Sequence, residues 1–375
     1  MKGKFYTTGK ALFKTTTLFL LTAALLTAAT SCSKEDNALN EDPYDRIQPN
    51  GPKPSWGPTI NPQMLAVIEA LDGPSPTPLN LLTPQQARQQ PTAADAVKKI
   101  MQKFAVPTPP MNVDTMGRDI AVENGMIHLR IYTPKTGKST YPLIVYYHGG
   151  GWVIATIDTY DASAQALAEQ VDAVVVSVEY RKGPEFKFKT AHNDSYAAYK
   201  WAVQNAASIK ADAAKAATAG ESAGGNLAVA VAIMARDSGF SIPKHILSVY
   251  PVANSDLNTP SKIQYADAHP LSTPLLQWFL MYYLNNPAEG ANPLISLVNA
   301  NLSGLPSTTI INAEIDPLES EGSQLAAKLQ AANVPVARQL YTGVTHEFFG
   351  MATVVREAKD AQAFAAQRLK QALGN

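Results

Sequence analysis

The sequence predicts an α/β fold with a mostly parallel central sheet and helices on both of its faces. Short apolar runs rich in β-branched and aromatic residues recur along the chain, at residues 143–147, 173–178 and 246–250. Helical stretches lie between such runs, as at residues 161–171 and 223–236. Strands that alternate with helices of this length form βαβ units, in which the strands pair in parallel.

The composition indicates a folded chain without a nucleic-acid partner. Of the 375 residues, 46% are hydrophobic, which is enough for a large core. Lysine plus arginine equals aspartate plus glutamate, 31 of each, so the formal net charge is zero. Because no basic field is present to attract a polyanion, we expect no nucleic-acid partner.

The N-terminal segment resembles a bacterial lipoprotein signal peptide. Several lysines precede an apolar or small run at residues 17–29, which is shorter than the roughly 20 residues of a membrane span. The run leads to Ser31 and to Cys32, the only cysteine of the chain, so no internal disulfide can form. Residues 1–31 are thus predicted to be a signal peptide, with Cys32 as the lipidated new N-terminus. The alternative is an ordinary secretory signal followed by a chance cysteine.

This pattern implies an exported protein that is lipid-anchored to the bacterial cell envelope, at the outer membrane. The tripeptide at residues 34–36 resembles an acidic surface-export tag, although a short solvated tether would look the same. Residues 32–58 are rich in Asn, Asp, Pro and Gly, a composition that buries too little surface to fold. We therefore expect a flexible linker at residues 32–58, and a folded domain at residues 59–375.

The remaining elements follow from the spacing of apolar residues. Residues 64–71 and 93–104 show helical spacing, and a proline-rich stretch ends the second of these helices. The other predicted strands are residues 127–132, 216–220, 308–312 and 336–341, and the other predicted helices are residues 196–207, 320–332 and 353–373.

The pentapeptide Gly220-Glu221-Ser222-Ala223-Gly224 fits the pattern G-x-S-x-G. It lies between a predicted strand and an alanine-rich predicted helix, which is the setting that this motif requires. The flanking glycines allow a sharp turn, and the turn lifts the serine hydroxyl above the sheet at a helix N-terminus. The sequence therefore predicts that Ser222 is a nucleophile.

A second glycine-rich motif, H-G-G-G-W at residues 148–152, directly follows the apolar run that ends at residue 147. Consecutive glycines expose backbone N–H groups, which can hold a developing oxyanion together with the N–H that follows the serine. A flexible turn is the alternative for a glycine run alone. The position of the H-G-G-G-W motif ahead of the serine motif favours an oxyanion hole.

An acid and a base are expected after the serine, in that order. Asp316 and His346 each follow a late predicted strand, at the edge of a parallel sheet where such sites form. The acids Glu314, Glu319 and Glu321 are rivals of Asp316 on spacing alone.

Several ordered motifs together resemble the hormone-sensitive-lipase-like family of bacterial esterases, which have the α/β-hydrolase fold. The similarity covers roughly residues 60 to 375, and its motifs are HGGGW at 148–152, YRKGPE at 180–185, GESAGG at 220–225, AEIDPLESEG at 313–322 and GVTHEFF at 343–349. Glu221 and Lys182-Gly183 depart from the usual pattern of the family. The departures leave the predicted triad intact.

The resemblance implies a catalytic triad of Ser222, Asp316 and His346, with oxyanion donors at the N–H groups of Gly149, Gly150 and Ala223. It also implies a helical cap built from about residues 59–112 and 255–290, and a preference for short to medium acyl esters. The expected activity is therefore that of a serine carboxylic ester hydrolase. Acyl transfer by such a triad requires no cofactor and no metal.

The substrate pocket is predicted less directly. Trp152 adjoins the oxyanion glycines, while Trp278 and Tyr282 belong to an apolar cluster at residues 278–283 that could line an acyl pocket. Ordinary helix packing would produce the same cluster. Two other functions share these motifs, an amidase or peptidase and a non-catalytic surface-binding lipoprotein. The sequence leaves the oligomeric state open.

Overall fold

Eight strands form one sheet in the computed structural model, which describes residues 42–73 and 77–375. The strands are β1 (Val113–Val122), β2 (Gly125–Pro134), β3 (Tyr141–Tyr147), β4 (Val174–Glu179), β5 (Ala211–Glu221), β6 (His245–Val249), β7 (Ser307–Ile315) and β8 (Val336–Thr345). Their order is β1-β2-β4-β3-β5-β6-β7-β8, with β2 antiparallel to both β1 and β4 and the remaining pairs parallel. The predicted mostly parallel sheet is confirmed.

Helices cover both faces of this sheet. They are α1 (Pro62–Asp72), α2 (Pro84–Ala87), α3 (Ala93–Lys103), α4 (Asp161–Val171), α5 (Thr190–Gln204), α6 (Ala223–Asp237), α7 (Pro260–Gln264), α8 (Thr273–Tyr283), α9 (Glu319–Ala331) and α10 (Arg356–Leu373). Side chains of α5, α6 and α9 join one core cluster, and those of α4 and α10 join the other. Among the described helices, none is long and apolar enough to cross a membrane.

The central strands are buried on both faces, which explains why they are continuous apolar runs in the sequence. Every residue of β3 is buried. Leu143 and Val145 enter the core beneath α5 and α6, whereas Ile144 and Tyr146 enter the core beneath α4 and α10. This alternation sets β3 at the centre of the molecule, so the loop that follows it is rigidly placed.

Strand β1 is an element that the sequence analysis does not predict. It lies at the edge of the sheet, and its residues are mostly exposed, with only Val113 and Ile120 buried. Such a strand lacks the regular alternation of apolar and polar residues that predicts a half-buried strand. Its pairing with β2 determines its structure instead.

The folded unit begins at Pro43, so the predicted linker boundary at residue 58 is wrong. Ile47 is fully buried, and the hydroxyl of Tyr44 donates to the carbonyl of Ala352 at 2.6 Å. The carboxylate of Glu69 accepts hydrogen bonds from the backbone N–H of Asn50, at 2.7 Å. The predicted signal peptide and Cys32 lie outside the described residues.

The predicted cap segments lie beside the C-terminal ends of the strands. Helices α1 and α3 pack together, and α8, from the later segment, contacts the 3-10 turn at Leu79–Leu81 of the earlier one. The indole N–H of Trp278 in α8 donates to the carbonyl of Leu82 at 3.0 Å, which joins the two segments. Both segments border the cleft described below.

Candidate active site

Ser222 occupies a strained turn between β5 and α6. Its backbone has φ +57° and ψ −119°, a conformation that side-chain-bearing residues rarely adopt. Its N–H donates to the carbonyl of Val249 at 2.9 Å, and its carbonyl accepts from the N–H of Asn226 at 3.0 Å. These bonds hold the turn, and the serine side chain stands at the N-terminus of α6, as G-x-S-x-G predicts.

The two glycines of the pentapeptide allow a close approach of neighbouring backbone. A Cβ at Gly220 would lie 2.2 Å from the carbonyl oxygen of Gly224, and one at Gly224 would lie 1.9 Å from that of Tyr147. Real Cβ contacts are never this short, so any other residue would push the turn away from β3. Both glycines are therefore required by packing, and they determine the position of the serine.

His346 joins Ser222 to Asp316. Its Nε2 lies 2.9 Å from the Ser222 Oγ, and its Nδ1 lies 2.8 Å from Oδ2 of Asp316. The second carboxylate oxygen of Asp316 accepts from the N–H of Leu318 at 2.8 Å. The three side chains are 6%, 4% and 0% exposed for Ser222, His346 and Asp316. The predicted nucleophile, base and acid thus form one hydrogen-bonded chain.

The environment of His346 favours its protonated form. Burial by itself would lower the pKa of the imidazole, but the neighbouring carboxyl groups of Asp316, Glu347 and Glu221 together outweigh it, so the pKa of His346 is raised. A base with a raised pKa accepts a proton more readily from Ser222. It is then ready to return that proton to a leaving group.

The rival acids are engaged elsewhere. Glu314 accepts from the N–H of Gly343 at 2.7 Å, Glu319 pairs with Arg338, and Glu321 pairs with the buried Lys262. None of the three bonds to His346 among the described residues. Spacing alone did not decide which acid bonds to His346, whereas the geometry selects Asp316.

The glycine loop after β3 lies beside Ser222. A Cβ at Gly149 would lie 2.2 Å from the hydroxyl of Tyr160, and one at Gly150, whose φ is +97°, would lie 2.4 Å from the carbonyl oxygen of Ile154. Ala223 is the first residue of α6, where an N–H has no intrahelical acceptor. Because only glycine fits at positions 149 and 150, the donors available there are backbone N–H groups.

Comparison with known proteins agrees with this geometry. A family model described as an α/β-hydrolase fold matches residues 144–350. The carboxylesterase NlhH of Mycobacterium tuberculosis is 36% identical over 75% of this chain and 91% of its own length. The arylesterase of Saccharolobus solfataricus is 34% identical over 70% of this chain and 85% of its own length.

Solved structures give the same result. A thermostable esterase from Pseudomonas putida superposes with a TM-score of 0.77 at 31% identity, covering 84% of this chain and 98% of the other. An esterase of Pyrobaculum calidifontis has a TM-score of 0.71 at 35% identity, covering 78% and 92%. The chain belongs to the hormone-sensitive-lipase-like family of α/β-hydrolases. The predictions of this family, of its fold and of a carboxylic ester hydrolase are confirmed.

In this esterase the motif at residues 180–185 packs against the glycine loop that follows β3 and supports it. The ring of Tyr180 stacks on His148 at 4.3 Å, and its hydroxyl donates to the carbonyl of His148 at 2.8 Å. Arg88, from the cap, donates to the carbonyls of Val153 and Gly183 at 2.8 and 2.6 Å, and it also pairs with Glu185. Cap and loop are therefore held together by one arginine.

A buried carboxyl network behind the nucleophile is a feature that the sequence analysis does not predict. Glu221 is 1% exposed and accepts hydrogen bonds from the hydroxyls of Tyr146 and Tyr250. The ring of Tyr250 lies 4.6 Å from that of His346, between centroids. Burial raises the pKa of Glu221, and also that of Glu347 beside the base. Only the unusual Glu in the serine motif signals this network in the sequence.

Two compartments meet at Ser222. A cleft of about 800 Å³ is bordered by Gly150, His346 and both cap segments. A cavity of about 20 Å³ also borders the serine and is lined by Trp152 and Phe279. The structure thus places Trp152, a predicted pocket residue, in the wall of this small cavity.

The prediction that Trp278 and Tyr282 line the pocket is wrong. They lie four residues apart on α8 and border neither compartment, with Trp278 bonded to Leu82 and their rings 4.8 Å apart. Other residues of α8 border the cavity, among them Leu276 and Phe279. An apolar cluster on a helix does not by itself reveal which of its faces meets the substrate.

Proposed function

We propose that this protein hydrolyses short to medium acyl esters by a serine acyl-enzyme mechanism with Ser222, His346 and Asp316. The observation that carries the proposal is the hydrogen-bonded chain through His346, with contacts of 2.9 Å to Ser222 and 2.8 Å to Asp316. Membership of an esterase family supports it independently. An inactive relative of the family would need none of this alignment.

In the first step, Ser222 Oγ attacks the ester carbonyl while His346 Nε2 takes its proton. Asp316 keeps the Nδ1 proton of the imidazole in place and stabilises the imidazolium that forms. The C–O bond to the alcohol then breaks, and His346 gives its proton to the leaving oxygen. Water attacks the acyl-serine by the same route and releases the acid.

The carbonyl oxygen gains negative charge during each attack. We assign the N–H groups of Gly149, Gly150 and Ala223 as the donors that stabilise it. Removing one such donor costs about 3 kcal/mol of transition-state stabilisation in other serine hydrolases. The tight contacts around both glycines support this assignment, since Gly149 lies against the carbonyl of Glu221 in the serine turn and Gly150 lies against the carbonyl of Ile154 in its own loop.

The test is hydrolysis of p-nitrophenyl esters from acetyl to long acyl chains by the full-length protein and by its Ser222→Ala variant. We expect activity at short chains, and its loss in the variant with unchanged thermal unfolding. A fluorophosphonate probe should label the natural protein and not the variant. Absence of both activity and labelling in a folded protein would favour a binding lipoprotein on the same fold, and faster cleavage of matched amides would favour an amidase.

We also propose that the protein is exported and anchored to the bacterial cell envelope by lipid on Cys32. The support is the lysine-rich start, the apolar run and the sole cysteine of the sequence. Substitution Cys32→Ala should abolish globomycin-sensitive processing and move the protein from the membrane fraction to the soluble fraction. Processing that is unchanged in the variant would refute the anchor.

A further inference from the structure

The two compartments at Ser222 have different roles, because the chemistry orients the substrate. The leaving alcohol oxygen must receive its proton from His346. His346 borders the large cleft and does not border the small cavity among the described residues. The alcohol therefore occupies the cleft, and the acyl group points to the other side of Ser222, into the cavity. This assignment rests on the proposed function.

The cavity is large enough for little more than one methyl group. Its volume is about 20 Å³, whereas a single water requires about 10–15 Å³ on the same measure. Its walls are mostly apolar, and Phe279 separates it from the cleft by pressing on the oxyanion loop. A Cβ at Gly151 would lie 2.2 Å from that ring, so the contact leaves no gap.

The far side of the cavity is closed by a buried ion pair. Lys262, which is 2% exposed, borders the cavity and pairs with Glu321. Its ammonium group also donates to the carbonyls of Asn254 and Asp256, at 2.6 and 2.8 Å. Two hydrogen bonds and one ion pair thus hold the ammonium in place. Lys262 therefore acts as a strut that cannot move aside for a longer acyl chain without losing these contacts.

The cleft, by contrast, is wide, and about half of its lining residues are polar. Side chains that can donate or accept hydrogen bonds come from both cap segments and from the oxyanion loop, among them Asn80, Gln89, Thr156 and Ser272. A volume of about 800 Å³ lies at the upper end of the range for small-molecule sites, roughly 300–1,000 Å³. A simple alcohol such as ethanol would leave most of it empty.

His269 provides a hydrogen-bonding group that is already oriented in this cleft. Its Nδ1 lies 2.8 Å from Oδ2 of Asp72, and its ring stacks on Trp56 at 5.5 Å. The hydrogen bond to Asp72 raises the pKa of His269, despite partial burial. Among the described residues its Nε2 has no partner, so this atom is available to a hydroxyl of the bound alcohol.

We propose that the natural substrates are acetyl esters of bulky alcohols that carry several hydroxyl groups. Ser222 Oγ forms a bond to the acetyl carbon, the bond from that carbon to the alcohol oxygen breaks, and the alcohol leaves with the proton from His346. Water then converts the acetyl-serine to acetate. Size selection resides in Phe279, Leu276 and the Lys262 strut, and alcohol recognition resides in the cleft around His269.

The acyl side is tested with p-nitrophenyl acetate, butyrate and hexanoate on the full-length protein. One extra methylene in a tight pocket changes kcat/KM by about tenfold or more, so acetate should exceed butyrate by about a hundredfold. Phe279→Ala should raise kcat/KM for butyrate relative to acetate by about tenfold, and Leu276→Ala, a second variant in case the first does not fold, should act in the same direction. Met281→Ala is the matched control, because Met281 lies on α8 and is 60% exposed.

The alcohol side is tested with acetylated xylo-oligosaccharides against ethyl acetate. The oligosaccharide should have the higher kcat/KM by about tenfold or more, and His269→Ala should reduce this ratio by up to about tenfold, the effect of losing one hydrogen bond. Equal rates on hexanoate and acetate, or a preference for ethyl acetate, would overturn the inference. A folded protein inactive on every ester would instead contradict the proposed function.

Discussion

Replacing Asp316 by asparagine should remove most of the activity and leave the fold intact. The two oxygens of Asp316 have two N–H donors, Leu318 at 2.8 Å and His346 at 2.8 Å. An amide has only one acceptor oxygen. If that oxygen keeps the Leu318 bond, the amide NH₂ faces the imidazole and donates to Nδ1, so Nε2 holds the proton and cannot accept one from Ser222.

The expected loss follows from this wrong tautomer and from the lost carboxylate charge. In serine hydrolases with the same arrangement it reaches about 10⁴ in kcat, or about 5 kcal/mol at roughly 1.4 kcal/mol per tenfold. The assay is kcat/KM for p-nitrophenyl acetate together with thermal unfolding. Glu314→Gln is the control, because Glu314 lies on β7, two residues before Asp316, and bonds to the N–H of Gly343 instead. An Asp316→Asn variant that keeps more than about a tenth of the natural activity would refute the role of Asp316.

Three further predictions concern the same region. The raised pKa of His346 predicts that kcat/KM falls as the pH drops through a midpoint above about 6.5. The His346–Asp316 pair should stabilise the fold most at low pH and lose this contribution as the pH rises through the same midpoint. A midpoint below about 6.5 in a pH–rate profile would contradict this prediction. Lys262→Met leaves Glu321 buried without its cation and should lower the free energy of unfolding by about 3–5 kcal/mol in urea, whereas the double variant with Glu321→Gln should recover much of this loss. Gly149→Ala drives a Cβ to 2.2 Å from Tyr160 and should lower kcat by about 10²–10³, while Gly57→Ala, whose nearest atoms lie at 3.6 Å, should leave kcat near its natural value.

Most of the central fold could be predicted because its signals are local. Strands β3 and β4 are apolar since both faces are buried, and the serine turn is marked by glycines that neighbouring backbone makes necessary. The triad could be predicted because chain order and strand ends restrict the candidates. The choice of Asp316 over Glu314 required either the family resemblance or the structure.

Other features depend on tertiary contacts that leave no periodic pattern. Residues 43–58 look like a linker, because a single buried Ile47 among polar neighbours is no signal of folding. The rotation of α8 decides that Phe279, and not Trp278, meets the cavity, and an apolar helix carries no mark of that rotation. The pairing of His269 with Asp72 joins residues far apart in the chain.

The carboxyl groups around His346 differ in the partners that the fold gives them. Asp316 accepts a backbone N–H and faces the imidazole, whereas Glu221 has two tyrosine hydroxyls as its hydrogen-bond partners. Burial raises the pKa of Glu221, which favours its neutral acid. Were Glu221 charged beside the base, its field would raise the pKa of His346 further, so a smaller fraction of His346 would be unprotonated and able to accept the Ser222 proton at a given pH.

This difference gives the substitution Glu221→Gln a sharp outcome. If Glu221 is neutral at working pH, the amide removes no charge, and the acidic limb of the pH profile of kcat/KM should stay in place. If Glu221 is ionised, its removal lowers the pKa of His346, and the limb should move to lower pH by about 1 unit or more, the effect of a nearby charge. Measuring both profiles with p-nitrophenyl acetate decides between them. A retained limb would mean that Glu221 is neutral and adds no charge to that which Asp316 presents to the base.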